Sequence, residues 1–438
     1  MQFEKRHGFN LGWACLLCLV LGNPVLAQDV ETEEPETLAD LTTEQKGQIE
    51  EELDEQQNES TARDEEAALN EDPEAQRRAQ LENEPFLQGL WHAIHIYGSV
   101  RLHAINNFNE QNELTEFSLG DGASRIGIRG EVPVFKKWWL IGRAEGGFDV
   151  LDTFTPKAGN EENPDNGMVK RLLYGGIDSK NLSATWGKNW SAYYKIAGMA
   201  DRFSIFGGNA VGVYNANTDG GPTGTGRADD VVQARIYSNS LKALNIKPFN
   251  LNLQYQYDRP IPWVEGRHYG RAYGASAWLE SNNDRGIGFA GQVSQVDNEE
   301  DPLIKAAGID GDATALAMAF RTYGKRWYVA LVLARLDNIN TTDQNKYVNG
   351  RGVELYAQWQ FKDKWWLVGG GNWFLPDDDD PEAGQYEIRY YIIGLRYTLD
   401  SFNRMLYAEY RIDNSVLHDG TPSKSEFTIG FRWDFGHR

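Results

Sequence analysis

From about residue 91 onward the chain alternates: short segments place oily side chains at every second position, and clusters of Asp, Asn, Gly and Pro separate them. Near the C-terminus Phe427, Ile429, Phe431, Trp433 and Phe435 fall on one face, with Glu426, Thr428, Arg432 and Asp434 on the other. Val353, Leu355, Ala357 and Trp359 oppose Glu354, Tyr356, Gln358 and Gln360 in the same way, and Ile94, Ile96, Val100 and Leu102 oppose His95, Ser99, Arg101 and His103. A period of two is the mark of a strand with one apolar and one polar side. No apolar run in this part approaches the roughly 20 residues that a helix needs to span a bilayer. The pattern therefore predicts strands throughout, sixteen of them, beginning near residues 93, 123, 138, 169, 181, 229, 249, 270, 285, 312, 326, 350, 364, 386, 403 and 424.

An even count suits a closed antiparallel transmembrane barrel. Residues 87–438 allot 22 residues to each strand, enough for a tilted span of about 9 to 11 residues and its share of connections. Short links at Ser179-Lys180-Asn181, Gly324-Lys325 and Lys362-Asp363 alternate with long polar ones at 151–168, 297–311, 337–349 and 376–385. A soluble sandwich alternates too, but the mid-strand charges on the non-oily faces and the aromatic pairs Trp138-Trp139 and Trp365-Trp366 at strand starts favour a water-filled barrel with interfacial girdles.

The N-terminal part has another texture. Lys5 and Arg6 precede an apolar stretch from Leu11 to Leu21, and Pro24-Val25-Leu26-Ala27 supplies small residues before Gln28. Residues 1–27 read as a cleaved secretory signal. Both cysteines, Cys15 and Cys18, lie inside it, so the mature chain cannot depend on disulfides or thiolate metal sites. Residues 28–86 carry a net charge of −17 of the chain's −21, with almost no aromatic residue before Phe86. Such a segment cannot build a core and is expected to be a disordered or partly helical, self-repelling periplasmic extension, with cell-wall contact as a further role. An anionic arm on a near-neutral domain repels phosphates, which excludes a nucleic-acid binder.

Ordered motifs add a resemblance. Ile96-Tyr97-Gly98-Ser99-Val100, Ser124-Arg125-Ile126-Gly127-Ile128-Arg129-Gly130, and Arg171-Leu172-Leu173-Tyr174-Gly175-Gly176 through Thr185-Trp186-Gly187-Lys188 follow one another. Then come Asp201-Arg202-Phe203-Ser204-Ile205-Phe206-Gly207-Gly208, Gly226-Arg227-Ala228-Asp229-Asp230 and Tyr237-Ser238-Asn239-Ser240. In this order they resemble the trimeric general-diffusion porins of Gram-negative outer membranes, over about residues 93–436. The resemblance implies a homotrimer in contact with outer-membrane lipid and lipopolysaccharide. It also implies a third loop folded inward to face a ladder of basic side chains. Asp201 matches that family's loop acid, whereas Ile205 stands where a second acid is common and Ser99 where many members have lysine. Both departures weaken the expected transverse field.

Strand parity independently puts Arg125, Arg129 and Glu131 on one polar face, Arg101 beside Ser99, and Arg171 opposite Leu172 and Tyr174. With Asp201 these are the expected constriction residues: Arg101, Arg125, Arg129, Arg171, Glu131 and Asp201. His103, Arg143, Glu145, Arg227 and Arg235 are further lumen candidates. An unpaired arginine facing lipid would cost about 2 to 4 kcal/mol at the midplane, so these residues belong on the wet side.

The expected function is passive diffusion of small hydrophilic solutes and ions. Weak cation preference is expected from acidic outer loops: 376–385 carries Asp377 to Asp380 and Glu382 without a base, and 297–311 carries five acids against Lys305. One alternative is a substrate-selective channel for a sugar or an anion on the same barrel, with Trp190, Tyr193, Tyr194 and Trp263 as a sugar track. Another is an outer-membrane lipid hydrolase. Against enzymes stand the scattered histidines and the lack of a His-x-x-x-His pair, a Gly-x-Ser-x-Gly elbow or a phosphate-binding loop. Asp377 to Asp380 lacks the glycine and spacing of a calcium loop, so neither metal nor cofactor is expected. The chain ends on Gly436-His437-Arg438 beyond the last alternating residue, Phe435, an overhang where an aromatic terminus is common.

Overall fold

The structure is a computed structural model. It describes residues 78, 93–107, 117–135, 137–151, 168–238, 246–247, 249–298, 300–399 and 404–436. The expected signal segment 1–27, all of the acidic extension 28–86 except Arg78, and the final His437 and Arg438 lie outside the described residues. Leu81–Arg438 forms a compact unit that holds every strand among the described residues.

Seventeen strand segments follow in order. The first are β1 (Ile94–Asn107), β2 (Ser118–Asp121), β3 (Arg125–Phe135), β4 (Trp138–Gly147), β5 (Val169–Ser179), β6 (Leu182–Trp190), β7 (Arg227–Ser238) and β8 (Phe249–Pro260). Next come β9 (His268–Glu280), β10 (Arg285–Val296), β11 (Ala313–Gly324), β12 (Trp327–Thr341) and β13 (Tyr347–Lys362). The last are β14 (Trp365–Pro376), β15 (Ile388–Thr398), β16 (Arg404–Asp413) and β17 (Glu426–Phe435). Each pairs antiparallel with its neighbours, and β17 returns to β1 with Arg432 opposite Arg101, so the sheet closes on itself. β2 and β3 run along the same neighbour, β1, and form one kinked stave. The barrel thus has sixteen staves, and closure removes every free edge.

The kink explains why that stave was expected to begin near 123. Ala123 takes a left-handed φ of 68°, Asp121 Oδ1 accepts from the Ser124 amide at 2.6 Å, and Ser124 Oγ accepts from the Arg101 amide at 2.9 Å. Side chains replace the ladder hydrogen bonds there, and pairing resumes above the bend. The expected long loop 337–349 is in fact short: β12 runs to Thr341 and β13 begins at Tyr347, because these strands continue past the width of a membrane.

The oily side of the alternation points outward. Ile96 is 61% exposed, Leu316 52% and Ile429 51%, and none of the three meets a protein layer that could cover it. Trp359 packs near Phe361, Trp365 near Tyr397 and Trp433 near Phe435, all at the short-turn end, an arrangement suited to a membrane interface. Among the described residues two short helices occur in the connections: α1 (Tyr194–Ala197) and α2 (Pro302–Ala306). The second starts at Asp301, whose carboxylate accepts from the Leu303 amide.

Candidate functional site

The connection between β6 and β7, residues 191–226, folds inside the barrel, and the inner wall holds it in two ways. Its apolar residues Tyr193, Ile196, Ala197, Val211 and Val213 join one cluster with the inward side chains Ala313, Ala315, Ala317 and Ala319 of β11 and Tyr328, Ala330, Val332 and Leu336 of β12. Phe206 packs on the inward Tyr390 and Ile392 of β15. The polar attachments are as specific. Glu409 accepts from the Ser204 and Ile205 amides at 2.7 and 3.1 Å, and Glu354 from the Ala210 amide at 2.8 Å and Val211 at 3.3 Å. Asn372 Oδ1 takes the Asn209 amide at 3.1 Å, and Gln254 donates to the Gly224 carbonyl at 2.9 Å. Gly352 has no side chain because the Ala210 carbonyl occupies that space.

Those inward faces of β11 and β12 correct the expectation that every non-oily face encloses water. Both sides of these strands are apolar because loop residues, not solvent, cover the inner one. The signal was legible in the run Tyr328-Val329-Ala330-Leu331-Val332-Leu333-Ala334, which lacks the polar alternation of a wetted strand.

The opposite wall is charged. A chamber of about 800 Å3 separates it from the loop, and seven arginines line it (Arg101, Arg125, Arg171, Arg202, Arg227, Arg396 and Arg432) with His103, against the three acids Asp121, Asp201 and Asp219. Arg101 Nε donates to Ser99 Oγ at 2.9 Å, and Arg432 stands directly across the β1–β17 ladder from it. Like charges placed so are unfavourable unless water or counter-ions separate them. Arg432 in turn pairs with Asp434 at 2.7 Å, and Arg396 with Glu409 at 3.2 Å. Arg227 lies 3.1 Å from Asp219, which also meets Lys188 at 2.9 Å, so this acid is already balanced.

Asp201 accepts from the hydroxyls of Tyr214 at 3.0 Å and Tyr194 at 3.3 Å and forms no close ion pair among the described residues. Burial raises its pKa above the ordinary carboxylate value, against the opposing pull of those two hydroxyls and of Arg227 and Arg101.

The chamber brings together Arg101, Arg125, Arg171, Asp201, His103 and Arg227 from the sequence-derived set. Arg129, Glu131, Arg143 and Arg235 do not line it. They sit further toward the short-turn end, with Arg129 opposite Arg143 across β3 and β4. Glu145 is buried between the two groups, 2.9 Å from Arg171 and 2.9 Å from Arg143, and accepts from Tyr97 at 2.8 Å. Arg171 needs a correction. Parity set it against Leu172 and Tyr174, but the β4–β5 register shifts between Glu145 and Gly146. This bulge lets Arg171 and Leu172 both turn inward, where both are buried.

A family model described as Gram-negative porin matches residues 79–437. The chain belongs to the Gram-negative porin family. No curated protein matches it in sequence. Among solved structures it is similar to OmpF of Salmonella typhi in complex with daunomycin, with TM-score 0.61 and 18% identity over 78% of this chain and 97% of that one. An anion-selective porin from Comamonas acidovorans gives TM-score 0.58 and 13% identity over 78% and 99%. OmpT of Vibrio cholerae in its trimer form gives 0.53 and 16% over 78% and 99%. At these identities the likeness is one of fold. Family and fold together indicate an outer-membrane channel rather than an enzyme.

Sequence reasoning missed Arg396, Arg432 and Arg202 in this porin's chamber. Arg432 stood on the polar face of the last strand and was read only as part of the alternation. Its closeness to Arg101 depends on barrel closure, which no local pattern reports. Arg202 adjoins the loop acid in sequence, and its guanidinium lies 4.0 Å from the centre of the Tyr328 ring.

Proposed function

We propose that this porin is a passive outer-membrane channel for small hydrophilic solutes, narrowed by residues 191–226 and selective for anions over cations. The carrying observation is the charge of the narrow section: seven arginines and three aspartates face one chamber, and with Arg171, Arg227, Arg396 and Arg432 each paired to an acid, Arg101, Arg125 and Arg202 remain against Asp121 and Asp201. An ion crossing a water-filled lumen keeps most of its hydration, so the field of the lining groups decides which sign accumulates there. One uncompensated charge about 7 Å from the ion is worth about 0.6 kcal/mol in water, roughly threefold in local concentration.

The expected cation preference rested on the acidic outer loops, and the geometry supports the opposite sign. Arg335 and Arg351 hold Asp377, Arg267 holds Asp301 at 2.7 Å, Lys305 meets Asp310 at 2.7 Å and His418 meets Glu382 at 2.6 Å. Asp377, Asp301 and Asp310 are engaged by neighbouring cations, and the exposed acids of these loops lie in open solvent, where screening is strong. The proposal includes a homotrimer, short turns facing the periplasm, residues 1–27 as an export signal and residues 28–86 as a periplasmic arm. The trimer form of the Vibrio OmpT and the anion selectivity of the Comamonas porin support the reading by analogy. Purified protein in planar bilayers should give ohmic steps, unblocked by sugars. Absence of conductance steps from folded protein would refute the channel.

A further inference from the structure

Beneath the inward loop, on the short-turn side, lies a second chamber of about 650 Å3. Its roof is the underside of α1 and the residues after it, Lys195, Ile196 and Met199, and its walls are the inward side chains near the short-turn ends of β7, β8, β9 and β11. Five basic residues reach it against one acid, Glu280. That acid is already engaged: Lys247 lies 2.9 Å away, Trp278 Nε1 and the Tyr323 hydroxyl each donate at 3.0 Å, and Arg321 pairs with it closely.

Arg321 keeps its Nε without a hydrogen-bond partner despite that pair, and Arg235 and Lys195 are less well matched. Arg235 meets Asp178 only at 3.4 Å. Its guanidinium lies over the Tyr237 ring at 4.6 Å, and that of Arg321 over Trp278 at 4.6 Å. Stacking fixes a guanidinium by its face and leaves its N–H edge free to donate. Lys195 has the least compensation. Its Nζ donates to Asn252 Oδ1 at 2.7 Å, and no carboxylate lies within ion-pair reach among the described residues. Burial, and then the nearby Arg235, hold the Lys195 ammonium down to about 7. A buried ammonium with one neutral acceptor is costly, and an anion in the chamber would relieve that cost.

We propose that this chamber is a binding site for a small oxyanion, a carboxylate or phosphate group, gripped by Lys195, Arg235 and Arg321. It rests on the channel reading for its access route and extends it, because it sets a saturable station on the exit side of the lumen. The simpler role for Lys195, a strap tying α1 to β8 through Asn252, predicts no anion dependence.

The test uses the full-length folded protein, inorganic phosphate and succinate as probes, and two readouts. Titration calorimetry in detergent measures binding. Chloride conductance in planar bilayers measures occupancy as probe is added from each side, scaled to each variant's own baseline. At least one probe should bind saturably in the millimolar range and reduce conductance, more strongly from the short-turn side. Lys195→Gln, which keeps a donor for Asn252, should weaken that affinity about tenfold. Arg101→Gln, in the upper chamber, should change ion preference and leave the affinity in place. Response to phosphate alone, to succinate alone or to both supports the site and tells tetrahedral from planar oxyanions. No binding of either, or binding that Lys195→Gln leaves unchanged, overturns it. Binding without any channel conductance would refute the channel reading and leave the site standing.

Discussion

Two halves of one inner wall share the same tilt, the same ladder and the same period of two, yet they carry opposite chemistry. Over residues 313–319 of β11 and 328–336 of β12 the inward residues are alanine, valine, leucine and tyrosine, covered by residues of the third loop. Along β1, β3 and β17 the inward residues include Arg101, Arg125 and Arg432, facing open volume. Strand period fixes which side chains turn inward, and what lies inside fixes whether they are oily. The loop leans on one half, and open volume is left against the other.

The largest expected effect breaks that asymmetry at the loop. Each of Glu354 and Glu409 accepts two loop amides, and hydrogen bonds of this kind contribute about 0.5 to 1.5 kcal/mol each. Replacing both, Glu354→Leu with Glu409→Leu, should unclamp residues 204–211. Single-channel conductance is then expected to rise about twofold or more with noisier open levels. Gly352→Val attacks the same contact from the wall, since its side chain would collide with the Ala210 carbonyl. Unchanged conductance in both would mean that this loop does not narrow the path.

A smaller effect is expected on the charged half. Arg101→Gln and Arg125→Gln together should lower the anion-to-cation permeability ratio by about sevenfold per charge removed, roughly threefold from the anion and threefold from the cation, with single-channel conductance altered much less. The effect should shrink in 1 M salt, where the screening length falls to about 3 Å.

Acidification gives a subtler readout at the loop side of the chamber. Because burial raises the pKa of Asp201, its carboxylate is neutralised at a higher pH than an ordinary aspartate. The sign follows: loss of a negative charge as pH falls should increase anion preference. Asp201→Asn should move the neutral-pH preference toward the acid-form value and reduce the change, with His103 in the same chamber supplying the remainder, as reversal potentials at pH 7 and pH 5 would reveal.

The smallest effect is expected outside the lumen. Asp301→Ala removes the cap of α2 and the partner of Arg267, which loosens the start of that helix. Hydrogen exchange at residues 303–306 should accelerate while ion preference stays as it was.

Much of the barrel was legible because alternation is local. The expected starts near 138, 169, 249, 285 and 326 lie within one residue of the strands at Trp138, Val169, Phe249, Arg285 and Trp327. What escaped was anything set at long range or by a local defect. The bulge that turns both Arg171 and Leu172 inward breaks the period the reading relied on. The kink at Ala123 hid the first four-residue segment of its stave. Arg432 reaches Arg101 only through closure of β17 on β1. The ion preference was read from acids at the mouths, because sequence shows Asp377 without showing that Arg335 and Arg351 hold it.

The most direct test of the central claim is the zero-current potential of the wild-type channel in a tenfold KCl gradient at neutral pH. An arginine-lined path left open beside an anchored loop predicts the sign of chloride-selective permeation, moving toward zero in the Arg101→Gln, Arg125→Gln double variant. A potassium-selective sign in the wild type, unchanged in that variant, would contradict it.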